Sequence, residues 1–256
     1  MPSVHKHARR FFSLCGVGMI GLMGLMLQEP PAALLDREPQ LHALPDWVLR
    51  LLLAAGPAVL VICMAAAGVA CAHRVGFRSA LAGDAGARPD LRLGLLAGMM
   101  VGLALVLLDK LFPEPLLAAS APHLSSAVAS QSWTMLVTGV LYGGIAEEII
   151  MRWGVMSLAA CGLAWTFGRL SRGETQVTDV IAWSSIGVSA LIFAVSHYPA
   201  LALLVEPSPV VVAQSMLMNV LAGAVYGWLF WRRSLECAMT SHACTHLVFG
   251  AARWLG

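Results

Sequence analysis

The chain has 256 residues, 59% hydrophobic and only 12% charged, with a net charge of +2 and a mean hydropathy of +0.77. Ordinary soluble domains carry about 25% charged residues, so this composition excludes a water-soluble fold, which would lack the polar surface to cover its core. The net charge by itself says little, because the placement of Lys and Arg in short loops is what orients a membrane protein.

Apolar stretches able to cross about 30 Å of hydrocarbon fall at 11–27, 51–72, 93–108, 133–170, 181–197, 210–231 and 235–254. They predict an all-α, polytopic membrane bundle of about seven transmembrane helices. Lys6, Arg9 and Arg10 precede the first stretch in the manner of a signal peptide, but no small-residue cleavage pattern follows Leu27, so an uncleaved helix is expected. Cys15 follows the bulky Leu14, which argues against a lipoprotein site. Pro57 predicts a kink in the second helix. The loops at 28–46 and 73–92 are rich in Pro and Gly and read as connectors. The first three helices carry almost no ionisable residues, and their Gly, Ala and Met content suits packing in lipid.

Basic residues cluster at Lys6, Arg9 and Arg10, at Arg74, Arg78, Arg88 and Arg92, at Arg169 and Arg172, and at Arg232 and Arg233. The intervening loops hold mainly acids: Glu29, Asp36, Glu38 and Asp46, then Asp109 and Glu114, then Glu206. This alternation predicts a cytoplasmic N-terminus and an external C-terminus. It stays in phase only if 133–170 crosses once, as one long helix that projects or bends. Short loops and compact size suggest a bacterial inner membrane.

No repeat or low-complexity tract divides the chain. It reads as one continuous membrane domain, with N-terminal helices and loops over 1–132 and a four-helix core over 133–256. Six cysteines, Cys15, Cys63, Cys71, Cys161, Cys237 and Cys244, show no CxxC spacing and are expected to pack as small hydrophobes.

A charge at the centre of a membrane helix costs about 2.5–3.5 kcal/mol even on mild scales, and Glu147 and Glu148 sit in the middle of the fourth stretch. Glu148 and Arg152 are four apart, in the favourable acid-to-base order on one helical face. Glu147, turned about 100° away, has no basic residue at i+3 or i+4. The alternative is a buried ion cluster that pins helices together. Phe193 and His197 close the fifth stretch, where a lone His could equally be interfacial. His242 and His246 share a face of the last helix. That spacing suits metal ligation, although no Glu follows the first His as in HExxH, and it also suits plain packing. Asn219 is expected to hydrogen-bond across helices, and Gly223 and Gly227 to permit close helix approach.

Glu147-Glu148-x-x-x-Arg152, Phe193-x-x-x-His197 and His242-x-x-x-His246, in this order on successive apolar helices, resemble the EExxxR, FxxxH and HxxxN/D motifs of the CPBP (Abi) family of membrane proteases, which includes the CAAX prenyl endopeptidases. The resemblance covers 133 to the C-terminus. It implies an intramembrane hydrolase in which Glu147 and His197 activate water and His242, with His246, stabilises the oxyanion. Glu148, Arg152 and Asn219 would support them. His246 departs from the family, which usually has Asn or Asp there, yet an imidazole still donates a hydrogen bond.

Glu147, His197, His242 and His246 would also make a credible zinc set; the family mechanism favours no metal. A membrane-associated peptide or protein is the expected substrate and the bilayer the surrounding partner. Nucleic acid is not expected, and neither oligomeric state nor substrate identity is legible. Two other readings stand beside the protease: a proton-coupled transporter using the same residues as a relay, against which no inverted repeat is found, and a non-catalytic membrane scaffold. Counted from the loops, His197 and His242 differ in depth by on the order of 10 Å.

Overall fold

The computed structural model describes residues 2–87, 89–111, 133–168, 177–204 and 207–255, and the regular structure among them is entirely helical. Seven long helices run in chain order: α1 (Pro2–Leu22), α2 (Asp46–Cys71), α3 (Leu91–Asp109), α4 (Trp133–Thr166), α5 (Asp179–Ser196), α6 (Pro209–Arg232) and α7 (Leu235–Leu255). Local chemistry sets several starts. Asp90, Thr178 and Ser208 each accept a hydrogen bond from the backbone N–H three residues on, and Pro209 occupies the first turn of α6 where its missing donor costs nothing.

Among the described residues, six helices are long and apolar enough to span a membrane, and α4 is one unbroken helix of 34 residues, as the charge alternation requires. The exception is α7, whose 21 residues include Glu236, His242 and His246. This more polar helix packs against α3, α4 and α6, which lets its polar groups face protein instead of lipid. Of the charges in the alternation, Arg88, Glu114, Arg169, Arg172 and Glu206 lie outside the described residues. α2 continues as helix through Pro57.

The two parts of the chain form one body, since α1 and α2 pack against α4 while α3 lies along α7. Trp153, fully buried in α4, donates from Nε1 to Ala65 O of α2 at 3.3 Å. The contact between α3 and α7 depends on Gly94, Gly98 and Gly102. A Cβ on Gly98 would sit 2.3 Å from Ser241 O, a backbone atom that cannot swing away. Gly98→Ala is therefore expected to lower the thermal unfolding temperature in detergent, by about 1–3 kcal/mol of overpacking. Gly56→Ala, with nothing within 4 Å of the new methyl, should leave it unchanged; equal melting of the two variants would refute the close-packed α3–α7 contact.

The 76–87 loop, expected to be a mere connector, folds back into the bundle. Phe77 is 1% exposed and packs on Phe230 at a ring distance of 4.9 Å. Arg10 reaches Ala82 O at 3.1 Å and Asp84 at 2.9 Å. Glu236 of α7 accepts hydrogen bonds from Ser79 Oγ at 2.6 Å and Leu81 N at 3.0 Å, and Leu235 N donates to Arg78 O at 3.1 Å. The start of α7 is thus recessed beneath this loop, with Ser234, Leu235, Cys237 and Ala238 all fully buried. Counting residues from the loops therefore does not measure how far into the protein His242 lies.

Candidate active site

The site begins with an irregularity in α4. After an α-helical turn at Trp133–Thr138, the segments Gly139–Glu147 and Ile149–Met156 are π-helical, and α-helix resumes at Ser157. A π-helix bonds i→i+5 and is rare outside functional sites, where it usually lasts a single turn. The α-helical period used to separate the two glutamates therefore does not apply here. Their sorting survives all the same. Glu148 Oε2 lies 3.3 Å from Arg152 Nε, with both side chains fully buried. Glu147 is 15% exposed, and its nearest ionic neighbour is His242 Nε2 at 4.0 Å.

Arg152 is fully buried and held by one hydrogen bond and two ring contacts. Its Nη2 donates to Gly223 O at 3.1 Å, and its guanidinium lies over the rings of Phe193 and Tyr226, at 4.8 and 5.4 Å from their centroids. Such contacts favour a cation in a desolvated site. Gly223 and Gly227 allow the close approach of α6 to α5 expected of them, with Ala190 and Ile186 at 3.2 Å from a built Cβ. Among the described residues, Asn219 has no hydrogen bond across helices. Its amide donates to Ser215 O at 2.9 Å within α6, a local acceptor one turn away that satisfies it more cheaply.

His197 caps the end of α5 and donates from Nδ1 to Phe193 O at 2.7 Å. Only one proton is present on a neutral imidazole, so this bond leaves Nε2 bare and able to accept one. The ring of Phe193 stands edge-on between His197, at 4.6 Å, and His242, at 5.7 Å, which places the two histidines at one level. Among the described residues His197 makes no hydrogen bond to Glu147, His242 or His246.

His242 Nδ1 lies 2.8 Å from Glu148 Oε1, a bond between residues 94 apart that no local spacing could announce. Its Nε2 faces His246 Nε2 at 3.2 Å. Tyr226 stacks on His242, with centroids 4.5 Å apart and planes 20° apart, and its OH donates to Thr245 at 2.8 Å. His246 lies against Gly139 and Gly143 of the π-helix, where a Cβ would fall 2.5 and 2.6 Å from its ring nitrogens. The expected residues Glu147, Glu148, Arg152, His242 and His246 thus form one cluster, with His197 joined to it through Phe193. Tyr226, Phe193 and Gly143 are additions. Only the FxxxH pattern could have flagged one of them in advance.

Residues 129–248, just under half of the chain and including every member of this cluster, match the family model described as type II CAAX prenyl endopeptidase Rce1-like. Over this region the chain is similar to the CAAX prenyl endopeptidases that the model describes. Comparisons with curated proteins and with solved structures gave no match. Within this cluster, His246 is the one departure from the motifs that the sequence resembles.

A zinc ion would need more than this cluster supplies. Two ligands of one tetrahedral zinc stand about 3.3 Å apart, close to the 3.2 Å between the Nε2 atoms of His242 and His246. A third ligand does not join them: among the described residues no group of three or more His, Cys, Asp or Glu is placed to hold a metal.

Proposed function

We propose that this chain is a member of the CAAX protease family and an intramembrane endopeptidase that hydrolyses a peptide bond of a membrane-associated peptide through water activated by Glu147 and His197. The observation that carries it is the part-exposed Glu147, 4.0 Å from His242, beside a fully buried Glu148 that Arg152 and His242 hold, in a cluster lying wholly within the family match. Water gives a proton to Glu147 or to the bare Nε2 of His197, and the hydroxide oxygen attacks the carbonyl carbon. The α7 histidines stabilise the resulting oxyanion; donors of this kind are worth about 2.7–4 kcal/mol of barrier. When the C–N bond breaks, the captured proton passes to the departing amine, so the water is consumed in full.

The chemistry is proposed to need no metal. A strong zinc chelator is expected to leave the cleavage rate unchanged, and a loss of activity restored by added zinc would overturn that part. The family description suggests the probe: a fluorescence-quenched, prenylated peptide with a CAAX tail, presented to the purified protein in liposomes. Cleavage by the wild type and by Leu103→Ala, whose side chain is 56% exposed on α3, but not by a Glu147 variant, is the expected pattern. Equal cleavage by the Glu147 variant would refute the proposal.

A further inference from the structure

Glu148 is fully buried and accepts from His242 Nδ1 on one oxygen while facing Arg152 on the other. An ionised carboxylate can only accept hydrogen bonds, and Arg152 already answers its charge. His242 therefore carries its proton on Nδ1 and presents a bare Nε2 toward α4 and His246. The hydrogen on the 3.2 Å Nε2–Nε2 contact must then belong to His246. Burial separates the two rings further: His242 is 4% exposed, whereas His246 is only partly buried. The rings of Tyr226 and His246 lie 20° and 21° from parallel to that of His242, which keeps the chain of donors and acceptors aligned.

From this geometry we infer that Glu148 is a positioning residue that acts through His242 to hold the Nε2 hydrogen on His246, the ring on the accessible side of the site. His246, instead of His242, then offers the donor to the oxyanion, its Nε2 hydrogen leaving the His242 acceptor as the oxyanion forms. The residue that departs from the family motif keeps the donor function in a different form, an imidazole N–H oriented by a buried carboxylate two links away. Removing the carboxylate frees both rings to exchange tautomers, as happens wherever a second carboxylate fixes an imidazole.

This inference rests on the hydrolytic reading, and its tests separate the two. In 15N spectra of histidine-labelled protein in lipid nanodiscs, assigned by the signals lost in His242→Phe and His246→Phe, His242 is expected to be protonated at Nδ1 and His246 at Nε2. A wild-type His242 protonated at Nε2 would overturn the inference, and this measurement needs no substrate. In cleavage of the prenylated peptide, His246→Phe keeps an aromatic ring of similar size but loses the donor. Its kcat is expected to fall about 100-fold with KM little changed, while His246→Asn, with an amide N–H, recovers at least about a tenth of the wild-type rate.

Because Glu148→Gln alone strands the Arg152 charge and can fail to fold, the double variant Glu148→Gln/Arg152→Met tests the first link. It is expected to show mixed His242 tautomers and a similar loss in kcat. If Glu147→Gln abolishes cleavage while His246→Phe and the double variant cleave normally, the inference alone falls. If Glu147→Gln also cleaves normally, the hydrolytic reading has fallen with it.

Discussion

Glu147→Gln is expected to slow cleavage by about 10²–10⁴-fold, the usual contribution of a general base, with no measurable change in thermal stability. Two features of the site separate these effects. The amide has nearly the same volume as the carboxylate, so packing in the π-helical stretch is kept, but it cannot take a proton from water. The carboxylate itself contributes little to the fold, because its ionic neighbour, His242 Nε2, is 4.0 Å away and the side chain is part-exposed. Rate and melting temperature measured on one preparation are sufficient. A variant that melts early would make Glu147 a packing residue, and one that keeps more than about a tenth of the wild-type rate would remove it from the chemistry.

The second large effect belongs to Arg152, and here stability should respond. Arg152→Met leaves the Glu148 carboxylate fully buried with no cation, and breaking one side of a buried pair costs about 3–5 kcal/mol. The lost bond to Gly223 O and the contacts over Phe193 and Tyr226 add to that cost. A large drop in folded yield and in melting temperature in detergent is expected. Restoring charge balance with Glu148→Gln in the same chain should recover most of the loss, since replacing both partners of a buried pair by uncharged groups is often close to neutral. Failure of the double variant to regain stability would mean that Arg152 acts mainly through its aromatic and backbone contacts. Recovered stability together with low activity would separate the structural role of the pair from the positioning role of Glu148.

Contacts within a turn or two are legible in the sequence. The Glu148–Arg152 pair follows from a four-residue spacing and holds even though the helix there is π-type, because the long arginine side chain can still reach. The approach of His242 to His246 follows from the same spacing on a regular helix. Asn219 misleads for a related reason. A mid-membrane amide suggests a partner on another helix, but the Ser215 carbonyl one turn back is nearer.

Groups far apart in sequence cannot be assigned in this way. The Nδ1 bond from His242 to Glu148 joins α7 to α4 across 94 residues, and it decides where the proton sits and therefore which histidine offers the donor. Counting from the loops puts His197 and His242 at different depths, because counting assumes that every helix begins at the membrane surface. The recess of α7 beneath the 76–87 loop breaks that assumption.

By itself the sequence determined that this protein lives in a membrane as a helical bundle, since burying so much apolar surface in water has no solution and hydrocarbon demands helices. It also determined which residues carry unexplained polarity, because the cost of a polar group in hydrocarbon is a property of residue type and run length alone. Only the tertiary structure decided how those groups pair. Pairing depends on distances of a few ångströms between helices, and those are set by glycine contacts, a recessed helix start and a π-helical stretch that leave no periodic trace in the chain.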